Sequence, residues 1–215
     1  MARHTKEEAL ATRLRLLDAA EIMFAEKGVS RTSLQDIAEA AGATRGAIYW
    51  HFKNKADLFN AMMARITLPM EEALCQIGRD AVRDPLDELL GEILSAMRKI
   101  ATDERTRRVF EIATLKVEYV DELLAVKARE VQTYADMVCQ IQRSLLSASA
   151  RRGIALPISP LVGAYGLHAL VMGLIQSWLL TPSTFDLVKT AEVAIGTYLL
   201  GLGLVPISGR LPMSA

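Results

Sequence analysis

The sequence predicts an all-α protein, and three observations support this class. Apolar residues recur at intervals of three and four along most of the 215 residues, for example at Leu34, Ile37 and Ala41. We find no segment with the strict apolar–polar alternation of a half-buried strand. Glycine, proline and N-capping residues fall between the periodic segments, where helices begin and end.

The first third of the chain predicts three helices in close succession. An amphipathic helix is expected over residues 7–27, and Thr32 or Ser33 caps a short second helix. Ser33 and Asp36 resemble a capping box in which Asp replaces the preferred Glu. Thr44 stands at the N-cap of another short helix, over residues 45–52, which completes a helix-turn-helix pattern. The apolar side of the first helix is expected to carry Leu10, Leu14, Leu17, Ile22 and Phe24.

The rest of the chain predicts mostly longer helices. Asn54 caps a helix that leads out of the helix-turn-helix, and Pro85 suits the first turn of the next one. Further helices are expected over residues 85–102, 104–114, 117–152, 160–180 and 185–204.

Composition limits the environment of the chain. Lys and Arg number 25, as do Asp and Glu, so no net charge attracts the whole chain to nucleic acid. Cys75 and Cys139 form no CxxC pair, which favours a reduced compartment. The N-terminus has no apolar signal-peptide core, so we expect a cytoplasmic location. The hydrophobic share of 51% and the mean hydropathy of +0.22 suggest a large interface or an apolar cavity.

Residues 161–180 are long enough to cross a membrane and contain no Asp, Glu, Lys or Arg. His168 and Gln176 interrupt the apolar run, and no basic cluster flanks it, which argues against a span. We therefore expect no membrane partner, and a helix buried in a core or an oligomer interface. Close approach of other helices is expected at Gly163, Gly166 and Gly173.

The stretch TRGAIYWHFKNK, residues 44–55, carries the most specific chemistry. At about 100° per residue, Ile48 and Phe52 share one side of the helix, and Gly46, Tyr49 and Trp50 cluster opposite. If the first pair is buried, the second group faces outward. The alternative, that Tyr49 and Trp50 are ordinary core residues, is left open by helical period alone.

An outward Gly-Tyr-Trp face suits DNA. Tyr49 offers a hydroxyl to phosphate, whereas Trp50 and His51 offer N–H donors and flat apolar surface. Arg45 lies in the first turn, which meets base edges in helix-turn-helix proteins. Lys55, at the start of the next helix, is expected to bind a phosphate.

Residues 5–59 closely resemble the DNA-binding region of the TetR/AcrR family of transcriptional repressors. The matching segments are TKEEALATRLRLLDAAEIMFAEKGVSRTSLQDIAEAAG and TRGAIYWHFKNKADLF. The wording TRGAIYWHFKNK, together with DERTRR at 103–108 and WLL before Pro182, is similar to the AcrR/TtgR-like branch of multidrug efflux pump regulators.

The resemblance implies about nine helices in two functional parts. Residues 1–55 would be the helix-turn-helix DNA-binding domain, 56–207 a helical ligand-binding and dimerisation domain, and 208–215 a flexible tail. The last two helices would form a homodimer interface, and the dimer would bind a palindromic operator. The residues that inherit the DNA-contact role are Ser33, Thr44, Arg45, Gly46, Tyr49, Trp50, His51 and Lys55.

The resemblance also implies a pocket for a small hydrophobic effector among the middle helices and the penultimate helix. Nine methionines in the chain suit an adaptable lining, although each lining residue is equally compatible with plain core. The residues expected to line this pocket are Met97, Phe110, Thr114, Met137, Cys139, His168, Met172 and Gln176.

The expected function is therefore a repressor, of a multidrug efflux operon, that hydrophobic drugs release from its operator. A TetR-like regulator of another operon, responding to a specific metabolite, is the alternative. The helix that Asn54 begins is the expected lever between the two parts. An enzyme is not expected, because HExxH, GxSxG, P-loop and dinucleotide motifs are all missing, and we expect no metal or cofactor. A DNA-binding architectural protein would not need the long apolar remainder.

Overall fold

The computed structural model describes residues 2–80, 82–182 and 184–204. Within these residues the chain forms nine α-helices, one 3₁₀ turn (Asp121–Leu123) and no strand, which confirms the all-α prediction. The helices are α1 (Ala2–Lys27), α2 (Leu34–Ala40), α3 (Arg45–His51), α4 (Lys55–Gln76), α5 (Pro85–Thr102), α6 (Glu104–Leu115), α7 (Leu124–Arg152), α8 (Pro160–Leu180) and α9 (Leu187–Gly201).

The helices form two compact units. The first contains the residues up to Leu68 together with residues 108–131, and the second contains residues 69–107 and those from Gln132 onward. The chain therefore passes from one unit to the other inside α4, inside α6 and inside α7. The functional division at residue 55 stays a prediction, and the tail expected at 208–215 lies outside the described residues.

The three short connections around α2 and α3 have the predicted caps. Ser33 Oγ accepts the backbone N–H of Asp36 at 3.1 Å, and Asp36 Oδ2 accepts the N–H of Ser33 at 3.0 Å. Hydrogen bonds from the backbone N–H of Ser33, and then from its side chain, to the Asp36 carboxylate hold the pKa of Asp36 below its ordinary value. Thr44 Oγ1 caps α3 at 3.1 Å, and Asn54 Oδ1 caps α4 at 2.8 Å. The starts of these helices were therefore readable from local sequence.

The predicted start of the longest helix is wrong. Periodicity suggested a helix from residue 117, whereas residues 117–120 are not helical and α7 begins at Leu124. The carbonyl of Lys116 accepts the N–H of Val29 at 3.2 Å, a bond to a distant part of the chain. This tertiary hydrogen bond directs the segment away from α6 before the next helix can begin.

The core of the first unit lies where α1, α2 and α3 pack together. Leu16, Leu17 and Phe24 of α1 are fully buried, as predicted for the last two. Leu10, Leu14 and Ile22 are instead 57%, 39% and 49% exposed, so their predicted burial is wrong. The burial of α1 begins only at Leu16, and Ile22 lies about 140° around the helix from Leu17.

In the second unit, α9 packs against both α5 and α8. Tyr198 of α9 donates its hydroxyl to the carbonyl of Gly163 at 2.8 Å, and burial raises the pKa of this phenol. A Cβ at Gly166 would overlap the Tyr198 hydroxyl, and one at Gly163 would lie 3.2 Å from Leu145. The predicted close approach therefore occurs within the chain at these two glycines, whereas the space at Gly173 is open.

Helix α8 is long and apolar enough to cross a membrane, the one such helix within the described chain. Its most apolar 18-residue window has a mean hydropathy of 1.3, and 28% of that window is buried. One helix of this kind is weak evidence for a span, because core helices of other proteins meet the same criteria. Because only 28% of that window is buried, the other helices of this chain leave a large apolar face of α8 exposed.

We expect Gly166→Ala to destabilise the protein by about 1–3 kcal/mol, because the added methyl group forces Tyr198 off its hydrogen bond. Chemical denaturation at fixed protein concentration measures the change. Gly91→Ala in α5 is the control, since a Cβ there meets nothing within 4 Å and alanine favours helix by about 0.5–1 kcal/mol. Equal stability of the two variants would contradict the overlap.

Candidate nucleic-acid interface

The helix α3 divides its side chains between a buried and an exposed face. Ile48 is 0% exposed, and Phe52, the C-cap residue of α3, is 1% exposed. Tyr49 is 51% exposed and Trp50 is 73% exposed, the reverse of what large aromatics adopt in a core. The orientation predicted from the helical wheel is confirmed, and the alternative that Tyr49 and Trp50 are core residues is wrong.

Two ring contacts lie at the C-terminal end of α3. The guanidinium of Arg13, on α1, lies 5.0 Å from the ring centre of Phe52. The His51 ring lies edge-on to Trp50, with 4.6 Å between centroids. Arg13 therefore ties α1 to the end of α3, and His51 supports one side of the Trp50 ring.

His51 is set up to remain a neutral ring. Burial, and then the positive charge of Arg13, lower its pKa from the ordinary value. A neutral imidazole has one N–H donor and one acceptor nitrogen. His51 can thus donate one hydrogen bond to a phosphate oxygen without bringing a charge.

The exposed face of α3 offers donors that suit DNA. Arg45 is exposed in the first turn, and its guanidinium lies 5.8 Å from the ring centre of Tyr49. The Thr44 hydroxyl oxygen accepts a helix N–H group, so its hydrogen remains available to an outside acceptor, whereas the Ser33 side chain also bonds the Asp36 carboxylate. Gly46 is exposed and adds no side chain to the surface. Six of the eight predicted DNA-contact residues, from Thr44 to His51, belong to α3 or its N-cap, and Ser33 is the exposed N-cap of α2.

Lys55 does not lie where the sequence predicted. It is 8% exposed, and its ammonium bonds the carbonyls of Val29 and Ser30 at 3.1 and 3.2 Å. A third bond, at 2.6 Å, reaches Glu122 Oε1. An ammonium has three N–H donors, and all three have partners inside the first unit. The predicted exposed phosphate clamp is thus corrected to a buried, fully bonded lysine.

The eight predicted effector-contact residues divide between the two units. Phe110 and Thr114 belong to the first, and the other six belong to the second. Met97 is buried in the core of α5, whereas Cys139, Met172 and Gln176 are exposed in this single chain. The structure therefore leaves their pocket role a prediction.

His168 is the effector candidate with the best-defined surroundings. It meets Tyr134 of α7 edge-on, with centroids 4.8 Å apart, and burial lowers its pKa. Tyr134 also lies nearly parallel to Tyr165. The sequence analysis did not identify Tyr134, because the residue spacing along α7 does not indicate which residues of α8 pack against it.

Two cavities occur away from these residues. One of about 710 Å³, in the second unit, lies beside acidic residues that include Asp84 and Glu92, and none of the predicted effector residues lines it. The other, of about 290 Å³, lies between residues 28–31 and residues 115–118 of the first unit. Over the described residues, no group of three or more His, Cys, Asp or Glu is arranged to hold a metal ion.

The chain matches two family models. Residues 16–62 match the model of bacterial regulatory proteins of the tetR family. Residues 84–203 match that of the C-terminal region of MAATS-type transcriptional repressors. The first match contains the helix-turn-helix and its exposed face, and the second covers most of the remaining helices.

Individual proteins are similar over nearly the whole chain. The HTH-type transcriptional regulator TtgR of Pseudomonas putida is 38% identical over 207 residues, which are 96% of this chain and 98% of TtgR. The structure of NalD from Pseudomonas aeruginosa is 36% identical, with a TM-score of 0.83 over 93% of this chain and 99% of NalD. The SmeT–triclosan complex is 31% identical, with a TM-score of 0.79 over 95% of this chain and 99% of that chain.

The helix-turn-helix and the two family matches together define the chain as a helix-turn-helix transcriptional regulator. The chain belongs to the TetR family of bacterial regulatory proteins. This membership confirms the family predicted from the two segments of residues 5–59.

We expect Ile48→Ala to lower the free energy of unfolding by about 2–5 kcal/mol, since it removes a fully buried side chain that holds α3. Tyr49→Ala, one residue further on, is expected to change it by about 0.5 kcal/mol or less, because the ring is half exposed. Urea denaturation followed by circular dichroism compares the pair. A larger loss for Tyr49→Ala would restore the interpretation of that ring as a core residue.

Proposed function

We propose that the protein is a repressor of a multidrug efflux operon and that hydrophobic compounds release it from its operator. The exposed Arg45–Tyr49–Trp50 face of α3 carries this proposal, because a globular protein has no structural use for two such aromatics in solvent. Two relatives indicate which kind of operon the protein regulates. NalD is the secondary repressor of the MexAB-OprM multidrug efflux pump, and SmeT is the repressor of the SmeDEF pump of Stenotrophomonas maltophilia.

The contacts divide by chemistry. Arg45 reads base edges, where its planar fork bonds two acceptors of a guanine at once. The hydroxyls of Ser33, Thr44 and Tyr49 and the ring N–H of Trp50 or His51 bind phosphate or sugar, which fixes register without reading sequence. Gly46 lets the helix backbone approach the groove.

The functional protein is a homodimer that covers the apolar face of α8. The exposed side chains of α8 and α9 would otherwise present a large apolar patch to water. Two copies related by a two-fold axis place their recognition helices about 34 Å apart, which matches successive major-groove faces of a palindromic operator. The dimer acts in the cytoplasm, where this DNA lies. The side chains offered to the second copy include Leu161, Val162, Tyr165, Met172, Leu180, Val193 and Leu200.

The effector acts by shifting a conformational equilibrium. A compound lowers operator affinity only to the extent that it binds better to a form with another spacing of the recognition helices. SmeT is known in complex with triclosan, an apolar phenol, so triclosan is a suitable first probe. The predicted contacts from Met97 to Gln176 remain the proposed lining, and helix α4 the proposed lever.

The direct test is a mobility shift on the DNA upstream of the protein's own coding sequence. We expect the wild type to bind as a dimer, identified by sedimentation velocity, and triclosan or a hydrophobic antibiotic to release it. Glucose at the same concentration is the control. Binding that no hydrophobic compound weakens would reject the efflux role, and a monomer in sedimentation would reject the α8 interface.

We expect Tyr49→Ala to weaken operator binding about tenfold at every salt concentration, since it removes a phosphate hydrogen bond. The slope of log affinity against log salt stays that of the wild type, because the lost hydroxyl carries no charge. Leu146→Ala is the control, as this leucine is 47% exposed and belongs to the second unit. Equal losses in both variants would remove Tyr49 from the contact list, and a wild-type affinity insensitive to salt would exclude a phosphate-dominated interface.

A further inference from the structure

The turn between α1 and α2 is held by two lysines from distant parts of the first unit. Lys55, the first residue of α4, bonds the carbonyls of Val29 and Ser30. Lys116, just after α6, donates its amine to the carbonyl of Ala25 at 2.7 Å, and its own carbonyl accepts the N–H of Val29. The last turn of α1 and the turn after it therefore receive hydrogen bonds from distant donors at Ala25, Val29 and Ser30, in addition to local bonds such as that from the Thr32 N–H to the Val29 carbonyl.

Glu122 completes this arrangement from the 3₁₀ turn before α7. Its carboxylate lies 2.6 Å from the Lys55 ammonium, with side-chain exposures of 50% for Glu122 and 9% for Lys55. The buried partner needs the charge of the exposed one, because an ammonium out of water is costly without a compensating anion. Residues 116–122 thus touch both the turn before the helix-turn-helix and the start of the helix after it.

The contact between residues 116–122 and the α1–α2 turn is polar rather than closely packed. The cavity of about 290 Å³ lies between these two segments, so side chains do not fill all the space between them. Val29 is fully buried, and the polar contacts that join the segments are a few hydrogen bonds and one ion pair. Loss of one of these bonds leaves room for the turn to move.

We propose that Glu122 and Lys116 are positioning residues for operator binding, acting through Lys55 and the α1–α2 turn. This rests on the proposed function and assigns residues outside the helix-turn-helix a part in its affinity. Lys55 follows the last residue of α3, His51, by four positions, so its anchoring fixes the start of α4 close to the end of the proposed recognition helix. In this proposal Glu122 does not contact DNA itself, and it affects operator binding only through Lys55.

Glu122→Gln tests the proposal because the two possible roles of Lys55 predict opposite changes in operator affinity. As a positioning group, Glu122 is needed, so the variant binds the upstream duplex about tenfold more weakly than wild type. As a phosphate clamp, Lys55 would be freed by the variant, and loss of a negative charge would tighten binding. Asp121→Asn is the matched control, with the same charge change at the adjacent exposed residue. We expect its affinity to equal or slightly exceed that of wild type.

Affinities are compared per active molecule, from stoichiometric titration of each variant, so that loss of folded protein is not counted as weaker binding. Glu122→Gln in a Lys55→Met background should add little to Lys55→Met alone, since Glu122 acts only through Lys55. Lys116→Met supplies a variant outside the ion pair and should also weaken binding. Equal or tighter binding by Glu122→Gln, or additive losses in the double variant, would overturn the positioning role.

A failure of the proposed function gives a different result from a failure of the positioning role. If wild type does not bind its upstream duplex or any duplex selected from a random pool, operator binding itself is wrong. If wild type binds and Glu122→Gln matches the Asp121→Asn control, the regulator stands and only the positioning role is lost.

Discussion

The burial of Ile48 and Phe52 is the constraint on which the exposed aromatic face of α3 depends. Helix α3 has seven residues, so it has little stability of its own and takes its rotation from these two side chains. A rotation by one residue, about 100°, would replace Ile48 by Tyr49 in the core. The direction of Arg45, Tyr49 and Trp50 therefore follows from apolar packing on the opposite side of the helix.

Around that packed helix, polar groups define the ends of the elements. Local caps at Ser33, Thr44 and Asn54 begin the three helices, and each bond joins residues three apart. The distant bonds of Lys55 and Lys116 then place these elements relative to residues 116–122. For this reason the compact unit that contains the helix-turn-helix also includes residues 108–131. The compact unit therefore extends beyond the boundary at residue 55 that the sequence predicts for the DNA-binding domain.

The second unit shows one helix serving two surfaces. Helix α8 packs its small residues against α9, where Tyr198 fits over Gly166 and bonds the Gly163 carbonyl. Its other side leaves large apolar residues exposed, and mean hydropathy cannot distinguish the two sides. The same apolar run would satisfy a membrane, a core or an interface, so the side left exposed by the chain's own helices supplies the argument for a second copy.

The sequence by itself determined the helices, their caps and the outward direction of Tyr49 and Trp50. These features depend on residues within about four positions of each other, where helical period and capping chemistry act. The tertiary structure alone decided the burial of Lys55, the exposure of Leu10 and Leu14, and the late start of α7. The burial of Lys55 and the late start of α7 involve partners far along the chain, Glu122 for Lys55 and Val29 for Lys116, whereas Leu10 and Leu14 are exposed because packing covers α1 only from Leu16. Local pattern carries no record of such a partner, because it is brought near only when the helices pack.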